Sequence, residues 1–479
     1  MSTSAPSLSA SAALAQKGLG RLTLTATTVG LGISQVGLVG VLQSLGLAAN
    51  YPVWVLALAF VCAYLLALTY AATFSELSLM MPHRGGLSTY TEVALGNLPA
   101  LLATYSGYVV VNLFGVPVEL MLLDSVLREV VGIAVPSKLL ALGVLWLLAG
   151  LNIKGPDVFA ALQNTATVFK VVLVVVIITV AFVVTAHPPA PGVAPSKLTG
   201  QIGFGMIVGL FFWCFVGAEL VCPMINDVRR PERSIPSSMF WGLTILAVLY
   251  GLYTWGARKM LPASVLSSSL FPHLEYCVSL FGKFGAIVLL FIAISGTVGV
   301  VNPIISGVSS MLAGMAKNGQ AFAILAREHP RHGTPWIAIL VLAACFSVPI
   351  LCFDDHAESI TNLVVAASMS WLIAYVIAHV NLIVLRRRYP KAARPFRSPW
   401  FPLPQLVGIV GMVYVIGCNP PEVNRLAGYV LGGVALMSVI WIRLVMKRGL
   451  FMPVKLNNSL PSTTSAVSDD LRSSMADKL

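Results

Sequence analysis

The chain has 479 residues, of which 57% are hydrophobic and 10% are charged, and its mean hydropathy is +0.87. Soluble domains carry about 25% charged residues, so this composition excludes an ordinary soluble protein. The formal net charge of +12 does not indicate nucleic-acid binding, because the basic residues stand in short segments between apolar runs. The runs are continuous rather than alternating with period two, which argues against a membrane β-barrel.

Motifs of metal, disulfide and enzyme chemistry are not found in the sequence. The seven cysteines show no CxxC pairing, and most lie inside apolar runs. The sequence also contains no GxxxxGK[ST] phosphate loop, no HExxH and no GxSxG motif. We therefore predict a protein that has no metal or organic cofactor, does not use ATP and is not an enzyme.

Long apolar runs predict the transmembrane organisation of the chain. A helix crosses the hydrocarbon core of a bilayer with about 20 residues, and the runs predict an all-α membrane protein with twelve such crossings. The fourth crossing is the shortest. In chain order, the predicted crossings are residues 23–46, 52–81, 98–127, 139–152, 156–186, 203–224, 238–261, 281–314, 335–353, 358–385, 401–418 and 427–446.

Both ends of the chain are predicted to lie on one side of the membrane, because the number of crossings is even. Residues 1–20 and 455–479 are rich in small and polar side chains and are predicted to be disordered. The loops on the side of the termini hold most of the Lys and Arg residues, so the positive-inside rule makes that side cytoplasmic. These basic residues are Lys17, Arg21, Arg84, Lys154, Arg229, Arg230, Arg233, Lys317, Arg327, Arg331, the run from Arg386 to Arg397, Lys447 and Arg448.

One carboxylate interrupts the sixth apolar run. Glu219 follows Gly217 and Ala218 inside residues 203–224, ahead of a cluster of charge and proline. A charge at the centre of a bilayer costs roughly 2.5 to 3.5 kcal/mol on insertion scales. An intramembrane carboxylate beside a flexible glycine is therefore a candidate transport site.

Glycines occupy comparable positions in the first and sixth crossings. The first carries Gly30, Gly32 and Gly37, and the sixth carries Gly217. Glycine weakens a helix by about 1 kcal/mol relative to alanine, and interrupted helices at matching places in two halves indicate a binding site between inverted repeats. The alternative is that these glycines only allow close helix packing. With Glu219 present, we favour a site.

Five stretches, in order along most of the chain, together resemble the amino acid–polyamine–organocation transporter superfamily. They correspond to the family's signature after helix two, the junction of helices four and five, helix six with its following loop, the end of helix eight, and the loop before helix eleven. The stretches are TFSELSLMMPHRGGLSTYTEVALG (73–96), LNIKGPDVFAALQNTATVFKVV (151–172), FFWCFVGAELVCPMINDVRRPERSIP (211–236), SSMLAGMAKNGQAFAILAREHPRHGTPW (309–336) and LRRRYPKAARPFRSP (385–399).

The resemblance implies a fold of the LeuT type, with two inverted five-helix repeats and two extra helices. On this chain it implies a transporter domain over about 21–450, with repeats over about 21–190 and 200–390 and extra helices over 401–446. In the family, the unwound parts of helices one and six hold the carboxylate and the amine of the substrate. Free N–H groups at half-helix N-termini suit an anion, and free carbonyls suit an ammonium group.

The resemblance also assigns substrate-binding residues to both breaks. Trp213 either covers the substrate, as an aromatic does in the family, or packs between helices. Val36 stands where the family's Gly-Ser/Ala-Gly pattern has a small residue and impedes the approach of a carboxylate, for which Gln35 offers a side-chain donor. The implied positions are Gly32, Ile33, Ser34, Gln35, Val36 and Gly37 in the first crossing and Trp213, Cys214, Phe215, Gly217 and Ala218 in the sixth.

Three ionisable residues are predicted to act in proton coupling or gating. Glu219 matches a family glutamate and either takes up a proton, which burial favours, or ties the sixth crossing to a neighbour. Lys170 is either an internal cation that couples to protons or braces the first crossing, or a side chain that reaches back to the interface. Glu119, with Asp124 nearby, either favours a cationic substrate or pairs near the outer surface.

The leading prediction for function is a secondary transporter of amino acids in the cell (inner or plasma) membrane, working by proton symport or by exchange. The alternatives are a transporter of polyamines or organic cations, motivated by the altered first crossing and the extra intramembrane acids, and a non-transporting sensor on the same fold. Residues 128–138 contain no cysteine, so no disulfide-linked heavy subunit is expected. The protein is predicted to be a monomer or a homodimer in the lipid bilayer, with no nucleic-acid partner.

Overall fold

A computed structural model of the chain describes residues 18–132, 136, 138–184, 202–269, 271–352 and 357–456. These residues are almost entirely helical; their one β-bridge joins Leu19 to Val228. The predicted disorder of both ends concerns residues that lie almost wholly outside the described ranges. Residues 128–138, which contain no cysteine for a disulfide-linked partner, also lie partly outside the described ranges.

The α-helices are numbered here in chain order through the described residues. Short 3₁₀ or π turns join some of them end to end. The helices are α1 Arg21–Gly32, α2 Gln35–Leu47, α3 Val53–Met80, α4 Leu87–Ala94, α5 Asn97–Thr104, α6 Val111–Val131, α7 Leu139–Ile153, α8 Pro156–Val183, α9 Phe204–Phe212, α10 Pro231–Met260, α11 Ala263–Ser268, α12 Pro272–Phe281, α13 Gly285–Lys317, α14 Trp336–Cys352, α15 Ala357–Arg388, α16 Leu403–Gly417 and α17 Pro421–Trp441.

Length and hydropathy identify the helices that can cross a bilayer. Among the described residues, eight helical segments qualify, and the bent pair α1 and α2 makes a ninth if it is counted as one span. Three shorter apolar helices, α7, α14 and α16, fall in the range of 10–17 residues. The chain is thus a multi-pass α-helical membrane protein. The segment predicted over 281–314 is longer than expected, because α12 and α13 together run over Pro272–Lys317.

The first crossing is broken at Ile33 and Ser34, where α1 and α2 meet at an angle of 49°. Ser34 has an extended backbone, with φ −112° and ψ 163°, and its Oγ accepts a hydrogen bond of 2.7 Å from Gly37 N. Serine is a preferred N-cap because its side chain satisfies an amide that a helix start leaves unpaired. The local sequence therefore starts a second helix here.

The sixth crossing is broken by a different device. Helix α9 tightens into a 3₁₀ turn over Trp213–Phe215, and Val216 is extended. Gly217 follows with a φ of +94°, a conformation that glycine adopts without steric cost. The chain then continues as a 3₁₀ segment, Ala218–Asp227, which contains Pro223. The winding of the sixth crossing thus changes at Gly217, and its second half is a 3₁₀ helix rather than an α-helix.

Helix α8 illustrates how the bundle separates its interior from the lipid. Its outward face exposes Val168, Phe169, Val172 and Val176. Helix α1 packs against the opposite face of α8 and against α10 and α13, so the broken first crossing lies in the interior of the bundle. Interrupted backbone is tolerated at membrane depth only where protein or a cavity surrounds it.

The end of the bundle that carries the described termini is closed by direct contacts. Leu19 N donates to Asp227 O at 2.6 Å, and Arg229 N donates to Leu19 O at 2.9 Å. Arg84 Nη2 lies 3.2 Å from Asp227 Oδ1, and its Nη1 lies 3.8 Å from Glu328 Oε1. The start of the first crossing is thereby fastened to the end of the sixth.

Candidate functional site

The two breaks face one small cavity in the middle of the bundle. Its volume is about 40 Å³, and its lining includes Ser34, Val36, Glu119, Trp213 and Trp371. A buried water needs only about 10–15 Å³ by the same kind of measure, so the cavity has space for a few waters but not for a larger molecule. A larger groove of about 510 Å³ lies between α3, α9 and α16, but its lining is apolar and suits a lipid chain.

Lys170 occupies the carbonyl end of the break in the first crossing. Its side chain is fully buried, and Nζ donates to Gly30 O at 2.6 Å and to Ile33 O at 2.8 Å. Gln163 and Thr167 precede it on the same face of α8, because residues at i, i+4 and i+7 align on a helix. Thr167 Oγ1 donates to Ala26 O at 2.9 Å. One face of α8 therefore holds the backbone of α1.

Glu119 occupies the opposite, N–H end of the same break. Its Oε1 accepts from Gln35 N at 2.9 Å and its Oε2 accepts from Val36 N at 3.1 Å. These are the first amides of α2, which a helix start leaves without an internal partner. Thr297 Oγ1 lies 3.5 Å from Oε1 and accepts from Gln35 Nε2 at 2.9 Å. The carboxylate thus caps the second half of the crossing.

Glu219 lies beside the cavity rather than in its lining. Trp371 Nε1 donates to Oε1 at 2.8 Å, and Tyr375 Oη donates to Oε2 at 2.6 Å. Tyr375 Oη also accepts from Gly217 N at 3.1 Å, and its ring stacks on Tyr70 with centroids 4.2 Å apart. Glu219 therefore connects the break in the sixth crossing to α15.

The residues predicted from crossing six divide between the cavity and the surrounding packing. Trp213 lines the cavity and meets Trp371 edge to face, with ring centroids 5.9 Å apart. Phe215 instead packs on Phe60 and Tyr64, with centroids 5.4 Å and 5.9 Å away, so it turns away from the cavity. Cys214, Gly217 and Ala218 form the buried or turning backbone around the break.

The residues predicted from crossing one divide in the same way. Ser34 and Val36 line the cavity. Ile33 and Gly32 contribute carbonyls that the protein already uses, since Gly32 O accepts from Tyr250 Oη at 2.6 Å. Gln35 and Gly37 contribute backbone amides, which donate to Glu119 Oε1 and Ser34 Oγ respectively.

Asp124 does not reach the cavity. Its Oδ2 accepts from Arg128 Nε at 2.6 Å, in an (i, i+4) pair at the end of α6. Of the two acids singled out in this region of the sequence, only Glu119 lines the cavity. Opposite charges four residues apart on a helix face are natural partners, so the pairing of Asp124 was visible in the sequence.

Several residues of this site were not found by sequence reasoning. Trp371 and Tyr375 stand four residues apart on α15 and bind both oxygens of Glu219. Thr297 and Tyr250 bind the first crossing from α13 and α10. The (i, i+4) spacing of Trp371 and Tyr375 was a usable signal, but a single threonine or tyrosine in an apolar run carries none.

The absence of a side chain at Gly299 leaves space for Lys170 to reach the carbonyls of Gly30 and Ile33. A Cβ placed at position 299 would lie 2.3 Å from Lys170 Nζ and 3.1 Å from its Cε. We expect Gly299→Ala to destabilise the protein by about 1–3 kcal/mol, as overpacking does, measured by thermal unfolding in detergent. Gly40→Ala is the control, because a Cβ there meets nothing within 4 Å. Equal stability of the two variants would contradict the close approach.

Among the described residues, no group of three or more His, Cys, Asp and Glu side chains could hold a metal ion. The elements of the site are instead a small cavity, two broken crossings and three buried charges. Interrupted helices that meet at a central site are the architecture of secondary transporters. Fold and site together thus define the class of the protein, a helical membrane transporter.

The chain belongs to the amino acid permease family. The model of the family described as "Amino acid permease" matches residues 19–439, which include every helix from α1 to α16 and most of α17. The match therefore spans both breaks and the cavity between them.

Characterised relatives include transporters of different solutes. The chain is 24% identical to a serine/threonine exchanger of Bacillus subtilis, over 74% of this chain and 80% of that protein. It is 23% identical to a branched-chain amino acid permease of the same organism, over 75% of this chain and 80% of that protein. It is 22% identical to a polyamine transporter of Arabidopsis thaliana, over 73% of this chain and 68% of that protein.

Solved structures share the fold at low sequence identity. A manganese transporter of Eremococcus coleocola aligns with a TM-score of 0.59 at 12% identity, over 93% of this chain and 97% of that one. The nucleobase-cation-symport-1 family transporter MHP1, in a closed conformation, aligns with a TM-score of 0.56 at 13% identity, over 93% and 96%. The fold is thus found in transporters of chemically different solutes.

Proposed function

We propose that this protein is a secondary active transporter that moves a small nitrogen-containing solute by alternating access around the cavity between the two breaks. Amino acids are the solutes that the family's description suggests, and polyamines or other amines are the second candidate class. The observation that carries the proposal is that both interrupted crossings contribute to one cavity beside buried charges. Intramembrane charges and broken helices mark solute and ion pathways.

We propose twelve crossings arranged as two inverted five-helix repeats and two extra helices. The eight long segments, the bent pair α1 and α2, and the three shorter apolar helices together supply this number. The breaks support the repeat, because each lies in the crossing that opens its proposed half, over about 21–190 and 200–390. The basic loops support cytoplasmic termini.

Solute entry requires the bundle to open. A cavity of about 40 Å³ is too small for an amino acid or an amine of similar size. Contacts between Leu19, Arg84 and Asp227 close the end that carries the termini. We propose that these contacts break in the conformation that opens toward the cytoplasm.

Proton coupling would act through Lys170 and Glu219, and an exchange mechanism would need no such coupling.

Transport by the purified full-length protein in proteoliposomes tests this function. Saturable uptake that depends on a proton gradient or on a counter-solute is the expected result, with ATP having no effect. The solutes to include are chosen by thermal stabilisation, since a ligand at 100 times its Kd stabilises a protein by about 2.7 kcal/mol. Absence of flux for every stabilising solute would contradict transport and support a sensor.

Trp213→Ala is expected to weaken the apparent affinity for the solute by about 2- to 30-fold, the range that loss of a cation–π contact covers. The reason is that Trp213 lines the cavity and is supported there by Trp371. Expression and the unfolding temperature should change little. Trp241→Ala is the matched control, because Trp241 is 50% exposed on the outer face of α10. An unchanged KM in Trp213→Ala would remove this residue from the site.

A further inference from the structure

We propose that Glu119 takes the position that a solute carboxylate would occupy, so that the site selects small amines that have no carboxylate and excludes amino acids. This inference rests on the proposed transport function and specifies the solute of the same cavity. It makes Glu119 a specificity-determining residue of the site.

The first crossing leaves no vacant anion site at its break. Free amides at the start of a half-helix attract an anion. Here the amides of Gln35 and Val36 donate to the two oxygens of Glu119, and the amide of Gly37 donates to Ser34 Oγ. An incoming carboxylate would have to displace a carboxylate that is already part of the protein.

The carbonyl end of the same break is filled as well. Lys170 Nζ donates to the carbonyls of Gly30 and Ile33, and Tyr250 Oη donates to Gly32 O. The protein thus supplies both the cation and the anion that a zwitterionic amino acid would bring to this half of the site. Little of the broken backbone of the first crossing remains for the solute itself.

Counted by formal charge, the buried ionisable side chains leave the centre of the bundle one negative charge in excess. Histidine aside, six acidic or basic side chains are buried among the described residues. Three of the six are acids that lie within 4 Å of an arginine. The remaining three are one ammonium and two carboxylates, so a positively charged solute restores the balance. The paired acids are Glu76, Glu92 and Asp124, and the remaining residues are Lys170, Glu119 and Glu219.

Acceptors for an amine are present beside the cavity. Gln35 Oε1 is buried and has no hydrogen-bond partner within the part of the chain that the structure describes. Glu119 lines the cavity, and a carboxylate oxygen such as the one that accepts from Val36 N has room for a second donor. Leu31, Val300 and Ile304 supply apolar lining for a carbon chain.

Matched pairs of an amino acid and its decarboxylated counterpart test the inference on the unmodified protein. Leucine with isopentylamine, phenylalanine with phenethylamine, and lysine with cadaverine differ only in the carboxylate. We expect at least one amine to stabilise the full-length protein and to be taken up by proteoliposomes, with an affinity at least about tenfold above that of its amino acid, because like charges in contact oppose binding.

Variants of Glu119 then locate the cause of the preference. Glu119→Ala vacates the anion position and should shift the preference toward the amino acid by at least about tenfold. Glu119→Gln keeps the size but removes the charge and should weaken binding of the amine. Asp124→Asn is the control, since Asp124 pairs with Arg128 away from the cavity, and it should keep the wild-type preference.

The outcomes separate this inference from the proposed function. Transport in which each amino acid competes as well as its amine would leave the transporter function intact and overturn the role of Glu119. An amine preference that persists unchanged in a folded Glu119→Ala variant would also overturn it. Absence of transport for both members of every pair would contradict the proposed function and the inference together. The comparison of wild-type pairs decides even if the variants fail to fold.

Discussion

Lys170→Ala is expected to abolish transport or to uncouple it from the proton gradient, and to destabilise the protein by about 2–5 kcal/mol. The fully buried ammonium is the donor to two carbonyls that the break in the first crossing leaves without helical partners. Its removal leaves those carbonyls unpaired and adds to the formal negative charge in the centre of the bundle. Gradient-driven uptake and solute exchange, measured separately in proteoliposomes, distinguish loss of flux from loss of coupling.

Lys259→Ala is the matched control for this prediction. Lys259 Nζ also donates to two backbone carbonyls, those of Ala181 and Val184, but at the ends of α8 and α10. We expect this variant to keep both coupled uptake and exchange. Normal coupled uptake by Lys170→Ala would place Lys170 outside the mechanism, whatever the change in stability.

Glu219→Gln is expected to flatten the pH dependence of transport. In the wild type, both carboxyl oxygens accept from side chains of α15, and the acid joins the break at Gly217 to that helix through Tyr375. A glutamine fills the same space but cannot gain or lose a proton, and its amide group points a donor at one of the two existing donors. The initial rate of uptake across a series of pH values is the measurement, because the pH dependence of a rate reports the proton-linked groups that control it.

Tyr375→Phe serves as the comparison for this second prediction. It removes one donor to Glu219 but leaves the ionisable carboxyl in place. We expect slower transport that still depends on pH. A Glu219→Gln variant with the pH profile of the wild type would assign Glu219 a purely structural role, as the hydrogen bonds to Trp371 and Tyr375 alone would allow.

The membrane class and the place of the breaks were accessible from the sequence. Continuous apolar runs and sparse charge predict bilayer-spanning helices, and Gly217 predicts an interruption, because glycine alone adopts a φ of +94° without steric cost. Serine at position 34 is a recognisable helix start. These signals are local, and local conformational preferences do not depend on distant parts of the chain.

The partners of the buried charges were not accessible in the same way. The sequence left open whether Glu119 pairs near the surface or faces a substrate, and whether Lys170 is internal. The structure places Glu119 on amides that lie 84 and 83 residues away in the chain, and Lys170 on carbonyls 140 and 137 residues away. No periodicity within one helix encodes contacts of such separation.

By itself, the sequence determined that this protein is a bundle of apolar helices with charge at membrane depth and two weak points in its winding. Transfer free energy and backbone sterics act residue by residue, so composition and order suffice for them. Only the tertiary structure decided that Glu119 and Lys170 close the two ends of one break, while Glu219 is held by α15. Those pairings depend on which helix faces pack together, since a buried charge is stabilised only by groups that packing brings within hydrogen-bond reach.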